Sequence, residues 1–421
     1  MYLASARTTP VEAAGGTGVT GKVPGTVVAL GAVSLLTDVS AEMVTAFMPV
    51  YVLYVLQLGY VQFGLLDGLY SGATVLLRLV GGHLGDRLGK YRAVALAGYG
   101  ISALSKLLFP FAGASTAAIG AVVATDRAGK GLRTAPRDAL ISLATPAPVL
   151  GRAFGLHRAM DTFGAMLGPL VTFLIMIQLG ADPSLVFGVS FCFALVGVIV
   201  LVTFVPGPPR TAVAAPRPEI RWRDGLHLLR GKRFRGASVA ATVLGFATIS
   251  DAFVFVVLQK TAGVPTSLLP LLPLGTALVF LLAALPLGRV ADRFGRWRMF
   301  AVGHVALLGV YALLVLGGRG IAVVCLVLLL HGLFYAATDG VLMAHGAELV
   351  PESIRASGLA ILQTGQAVAR LLSSVLFGVL LTFLDMRWAV LVAAVALLAA
   401  LGTALVLTGR GRTGADAEVA A

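Results

Sequence analysis

Apolar runs of about twenty residues, the length a helix needs to cross about 30 Å of hydrocarbon, recur along this chain from near residue 28 to near residue 409. Twelve spans are predicted. They lie near 28–56, 61–83 and 93–113, in a fourth stretch taking in Asp126 to Asp138, then near 152–178, 184–205, 237–259, 266–288, 299–317, 320–349, 357–384 and 388–409. The polar positions that interrupt them are concentrated in the first half. Asp38 and Glu42 lie four apart in span 1 and so share one helix face. Span 2 holds Asp67 and span 3 holds Lys106. Span 4 gathers Asp126, Arg127, Lys130, Arg133, Arg137 and Asp138, and span 5 opens with His157, Arg158 and Asp161. A charged side chain at mid-bilayer costs roughly 2.5 to 3.5 kcal/mol on insertion scales, so such a cluster must face partners or a water-filled cavity. Pro136 is expected to kink or end span 4.

Composition agrees with this pattern. Of 421 residues, 58% are hydrophobic and 12% charged, with mean hydropathy +0.94, which excludes an ordinary soluble domain. The net charge of +13 would suggest nucleic acid in a soluble protein. Here the basic residues occupy every second connection, the positive-inside pattern, so the expected partner is anionic lipid and not nucleic acid. Both termini and the central loop are then expected in the cytoplasm. High Arg with much Ala, Gly, Val and Leu suggests a bacterial source, hence the inner membrane. Cys192 and Cys325 lie inside apolar spans, so neither a disulfide framework nor a cysteine metal site is implied; no cofactor or metal is expected, nor a cleaved signal peptide.

The chain repeats itself. GHLGDRLGKYR at 82–92 returns as GRVADRFGRWR at 288–298, and RAFGL at 152–156 is echoed by RASGL at 355–359. Two six-span halves related by duplication account for this, an arrangement used by transporters. The expected organisation is a cytoplasmic tail at 1–25, an N-terminal six-helix bundle at 26–205, a basic Pro-rich linker at 206–236, a C-terminal six-helix bundle at 237–409 and a tail at 410–421.

These residues resemble the major facilitator superfamily along nearly the whole chain. Gly82, Asp86, Arg87, Gly89 and Lys90 are similar to its signature between spans 2 and 3. Gly288, Asp292, Arg293, Gly295 and Arg296 are similar to the second copy. The resemblance implies an all-α polytopic membrane protein, twelve transmembrane helices in two pseudo-symmetric six-helix bundles, with these residues as a gating latch. Arg127 with Gly131 resembles the span 4 signature of proton-coupled members. Gly164, Gly168 and Pro169 resemble the GxxxGP signature of antiporters in span 5, although Val171 and Thr172 stand where that pattern continues with small residues. The branch resembled is a bacterial one of drug or small-molecule antiporters using protons.

The spacing suggests pairs Asp126–Lys130 and His157–Asp161 along their own helices, leaving Arg127 and Arg158 to find anions among Asp38, Glu42 and Asp161. Burial and a neighbouring cation push a carboxylate in opposite directions, which suits a group that takes and releases a proton. Asp38, Glu42, Arg127 and Asp161 are therefore the expected proton-coupling residues. Asp67, Lys130, His157 and Arg158, with His331, Tyr335, Asp339, Gln363 and Gln366 from the second half, are expected to contact substrate. The expected activity is proton-coupled efflux of a small organic molecule by a monomer. Export of a metal chelate or siderophore, uptake of an organic anion, and a non-transporting sensor remain alternatives. An enzyme using His157 and Asp161 is disfavoured, because no nucleophile accompanies them.

Overall fold

The computed structural model describes residues 22–70, 72, 90–207, 227–351 and 354–418 and is all-α. The first half comprises α1 (Gly25–Val50), α2 (60–70), α3 (Tyr91–Leu108), α4 (Thr116–Ala144), α5 (Leu150–Leu179) and α6 (Pro183–Phe204). In the second half the seventh span is two helices, α7 (Lys232–Phe246) and α8 (Asp251–Ala262). It is followed by α9 (Leu272–Phe294), α10 (Arg296–Leu316), α11 (Ile321–Glu348), α12 (Arg355–Phe383) and α13 (Met386–Glu418). Among the described residues, nine helical stretches are long and apolar enough to cross a membrane. The other three spans begin with α2, α3 and α4; α4 carries the charge cluster, and span 2 is described only over part of its length.

The packing repeats as the sequence does. In the first half α1 packs on α5 and α6, and α3 on α4 and α6. In the second half α7 packs on α12 and α13, and α10 on α11 and α13. The protein is thus two pseudo-symmetric six-helix bundles. Small residues set the closest approaches. A Cβ on Gly129 of α4 would lie 2.6 Å from the Gly98 carbonyl oxygen of α3, and one on Gly98 2.7 Å from that of Gly129. In lipid, where apolar burial does not drive helices together, such backbone contact supplies the van der Waals attraction.

Helix ends follow local chemistry. Ser115 and Asp182 cap α4 and α6 through Ala118 N and Ser184 N. The seventh span breaks inside an apolar stretch because Ser250 caps a new helix there, its hydroxyl accepting from Phe253 N at 3.5 Å. The backbone freed by the break is satisfied by side chains, as membrane burial demands. Ile249 N donates to Tyr311 Oη at 2.7 Å, and Ser373 Oγ donates to the Thr248 carbonyl at 2.6 Å.

Pro136 does not end α4, which is helical from Thr116 to Ala144. The helix of the seventh span starts at Lys232, and α13 runs on to Glu418.

Contacts between the halves gather at the end remote from the termini. There Tyr54 Oη donates to Gln259 Oε1 at 2.5 Å, Lys260 Nζ to Tyr60 Oη at 2.7 Å, and Phe63 meets Phe253 edge to face. Nearer mid-membrane, Ser374 Oγ donates to Asp67 Oδ2 at 2.7 Å.

Candidate functional site

The charges of α4 are divided among three neighbouring helices. One turn points to α3, where Asp126 accepts from Lys106 Nζ at 2.8 Å and Ser102 Oγ at 2.6 Å. The other Asp126 oxygen binds the guanidinium of Arg127, which lies 3.8 Å over the Tyr70 ring of α2. Asp126, Lys106 and Arg127 are 1%, 1% and 3% exposed. The next turn points to α1, with Lys130 and Arg133 at 3.9 and 3.7 Å from Asp38, and Arg133 also 4.4 Å over the Tyr99 ring. The third turn points to α1 and α5. Arg137 lies 3.8 Å from Asp161 and 3.3 Å from Ser34 Oγ, which bonds the buried His157 ring at 2.8 Å.

Beside this network lies a cavity of about 280 Å3 between the two halves. Glu42, Thr45, Asp67 and Tyr70 line it from α1 and α2. Opposite them are Ser250 and Asp251 at the start of α8, Phe255, Tyr335 of α11 and Arg370 of α12. Asp251 accepts a short hydrogen bond from Tyr335 Oη, and behind it His331 Nε2 lies at 3.6 Å while His331 Nδ1 meets Thr276 Oγ1 at 3.2 Å. The helix break therefore opens directly onto the cavity. This is the way membrane proteins place non-helical backbone at a midplane binding site.

The family model described as Major Facilitator Superfamily matches residues 30–320 and 271–420, nearly the whole chain. The chain belongs to the major facilitator superfamily. An uncharacterized MFS-type transporter of Methanocaldococcus jannaschii is 30% identical over 365 residues, 83% of this chain and 87% of that protein. Among solved structures, the nucleoside transporter NupG superposes with a TM-score of 0.79 at 16% identity, over 91% of this chain and 98% of that one. A peptide transporter bound to alafosfalin gives 0.75 at 15% identity, over 93% and 95%. At such identities the two structures share the fold with this facilitator.

Within the facilitator fold the residues singled out in the sequence separate. Asp67, Glu42 and Tyr335 line the central cavity. Asp38, Arg127, Lys130, His157 and Asp161 belong to the ion-paired network inside the first bundle, and Arg158 lies on α5 one position after His157. The expected pairs along single helices are replaced by pairs between helices: Asp126 takes Lys106 instead of Lys130, and His157 takes Ser34 instead of Asp161. Interhelical partners win because α3 and α1 approach α4 closely at these turns. His331 supports Asp251 from behind. Asp339 and Gln366 line a second void of about 20 Å3, room for about one water, and Gln363 donates to the Met343 sulfur at 3.4 Å.

Of the residues expected to form a latch, Gly82, Asp86, Arg87 and Gly89 lie outside the described residues; Lys90 is exposed at the start of α3. In the second copy Gly295, at φ +100°, makes the tight turn between α9 and α10. Arg296 bonds Asp292 at 2.9 Å and reaches Glu348 at the end of α11 at 2.8 Å. Arg293 is exposed, and Gly288 lies inside α9 with open space around it, so no close approach requires a glycine there. Gly164 and Gly168 carry α5 against α1: a Cβ on Gly168 would lie 2.7 Å from both Glu42 Cβ and the Val39 carbonyl oxygen. Pro169 continues α5 without ending it.

Ser250, Asp251, Tyr70 and Arg370 line the cavity without belonging to the set expected from the sequence. Two signals were available: a Ser-Asp pair inside an apolar span, which is a helix start, and a lone arginine in span 11.

Proposed function

We propose that the protein is a secondary transporter that exports a small organic molecule in exchange for protons, the two bundles rocking around the central cavity. The observation that carries this reading is the position of Glu42. It lines the cavity from α1, and Lys130 and Arg127, the cations that act on it, lie beyond ion-pair distance and are engaged with Asp38 and Asp126. A carboxylate in that position is open to proton and to substrate in turn. Asp38, held by Lys130 and Arg133, is better suited to keep the helices in register, so Glu42 carries the proton and Arg127 fixes the wall around it.

The positive-inside pattern supports a cytoplasmic position for both termini, and a bacterial inner membrane belongs to the same reading. The interbundle contacts at the far end then close the outer side, and the cavity faces inward, poised to load cargo for export. The bundle limits 26–205 and 237–409 joined by the 206–236 linker, the monomer, and the packing of the antiporter-like Gly164 and Gly168 on the segment of α1 that bears Glu42 belong to the same reading. A second reading, handling of an organic anion, is favoured by Arg370 in the cavity wall.

The test is proton movement in proteoliposomes challenged singly with cationic drugs, organic acids and amphoteric compounds. Substrate-driven proton flux that persists in Asp38→Asn and is lost in Glu42→Gln is expected. Substrate flux without proton flux, or flux indifferent to Glu42→Gln, would sink the assignment.

A further inference from the structure

Three charged groups in the cavity wall, Glu42, Asp67 and Arg370, have no ion-pair partner among the described residues, and Glu42 and Arg370 stand on opposite bundles with opposite sign. Arg370 of α12 is exposed into both the central cavity and the small void beside it. Asp251, Tyr335 and Asp339 act on Arg370 through space, but none lies within ion-pair or hydrogen-bond distance of it. Of the other acids lining the central cavity, Asp67 accepts a hydrogen bond from Ser374 and Asp251 one from Tyr335, with the His331 ring behind it. From this geometry we infer that the cavity takes a small amphoteric molecule, with its anionic group on the Arg370 guanidinium and its protonated amine on the Glu42 carboxylate. The inference rests on the transport reading and names its substrate class.

A guanidinium in such a wall with no anion in contact is costly, so the ligand group that gains most there is a carboxylate or phosphonate, which matches its fork of donors. A purely anionic ligand would leave Glu42 unmatched and meet Asp67 and Asp251. A purely cationic one would leave Arg370 unmatched. An amphoteric one satisfies both and bridges α1 to α12, giving it a differential affinity for the state in which the bundles close on it. Tyr70, Phe255 and Tyr335 offer ring surface to an apolar or aromatic body between the two charges. The amine and the proton would compete for one carboxylate, which is how exchange between them arises.

The experiment uses the full chain in lipid nanodiscs and reads the thermal midpoint against concentration for four probes: L-phenylalanine, the dipeptide Phe-Ala, phenylalanine methyl ester and N-acetylphenylalanine. The amphoteric pair should stabilise at concentrations at least about tenfold lower than the ester or the N-acetyl form. Arg370→Ala should erase the advantage over the ester, Arg370→Lys should retain part of it, and Glu42→Gln should erase the advantage over the N-acetyl form. The ligand-free midpoint of each variant reports its folding. The inference is overturned if the amphoteric probes do not stabilise, if a singly charged probe binds as well, or if Arg370→Ala leaves the preference intact. The expected binding pattern without proton flux would remove the exchange reading alone. Proton flux driven by a singly charged ligand would remove this inference alone.

Discussion

Lys106 of α3 and Asp126 of α4 form a 2.8 Å ion pair with both side chains almost fully sealed, and Ser102 shares the same carboxylate oxygen. An isolated buried charge is far more costly than a pair, so neither partner is dispensable alone. Lys106→Met or Asp126→Asn should each destabilise by about 3 kcal/mol, and the double variant by clearly less than the sum. Denaturation midpoints of the three variants in one detergent check this. Additive losses would mean that the two groups do not act as a pair.

Gly168 tests the α1–α5 contact. Any side chain there meets the backbone at Val39 and the Cβ of Glu42, so Gly168→Val should cost about 1 to 3 kcal/mol through overpacking. It should also reduce exchange by moving Glu42. Gly288→Val, with nothing within 4 Å of its added Cβ, is the matched control, and its thermal midpoint should stay close to that of the wild type.

Closure at the end remote from the termini can be trapped. Cysteines replacing Tyr60 and Lys260, whose polar ends meet at 2.7 Å, should be joined by a flexible bis-maleimide once Cys192 and Cys325 are changed to serine. Cross-linked protein should bind ligand from the terminal side and fail to complete transport. Full transport by the cross-linked protein would exclude separation of the bundles at this end.

The Arg296 cluster should act on rate and not on stability, as a gating latch would. Arg296 joins Asp292 and Glu348, whose side chains are 62% and 56% exposed, and exposed pairs contribute roughly 0 to 1 kcal/mol. Arg296→Ala should therefore shift the melting free energy by less than about 1 kcal/mol while altering the exchange rate severalfold. Stopped-flow flux beside calorimetry separates the two.

Much of the architecture was legible because it rests on composition and period. Length and apolarity of the runs, the duplicated GDRxG-like loops and the alternation of basic connections give twelve helices in two related halves. Bilayer physics leaves little else that such runs can form. The cluster on α4 was legible for the same reason, since charges in lipid must be buried among partners. Which partners was not legible. Spacing along one helix offers Lys130 to Asp126, but helix crossings fixed by Gly98 and Gly129 bring Lys106 within reach from a different span.

The cavity is the plainest case of what only the tertiary structure decides. Glu42, Asp251 and Arg370 are separated by more than a hundred residues from one to the next and share no period. They face one space because the halves pack across the midplane and because Ser250 starts a new helix there. The sequence by itself determined that charged groups had to be sheltered inside the first bundle. Folding decided which of them became a matched structural network and which were left facing the cavity, because that choice depends on distances between helices that no single helix encodes.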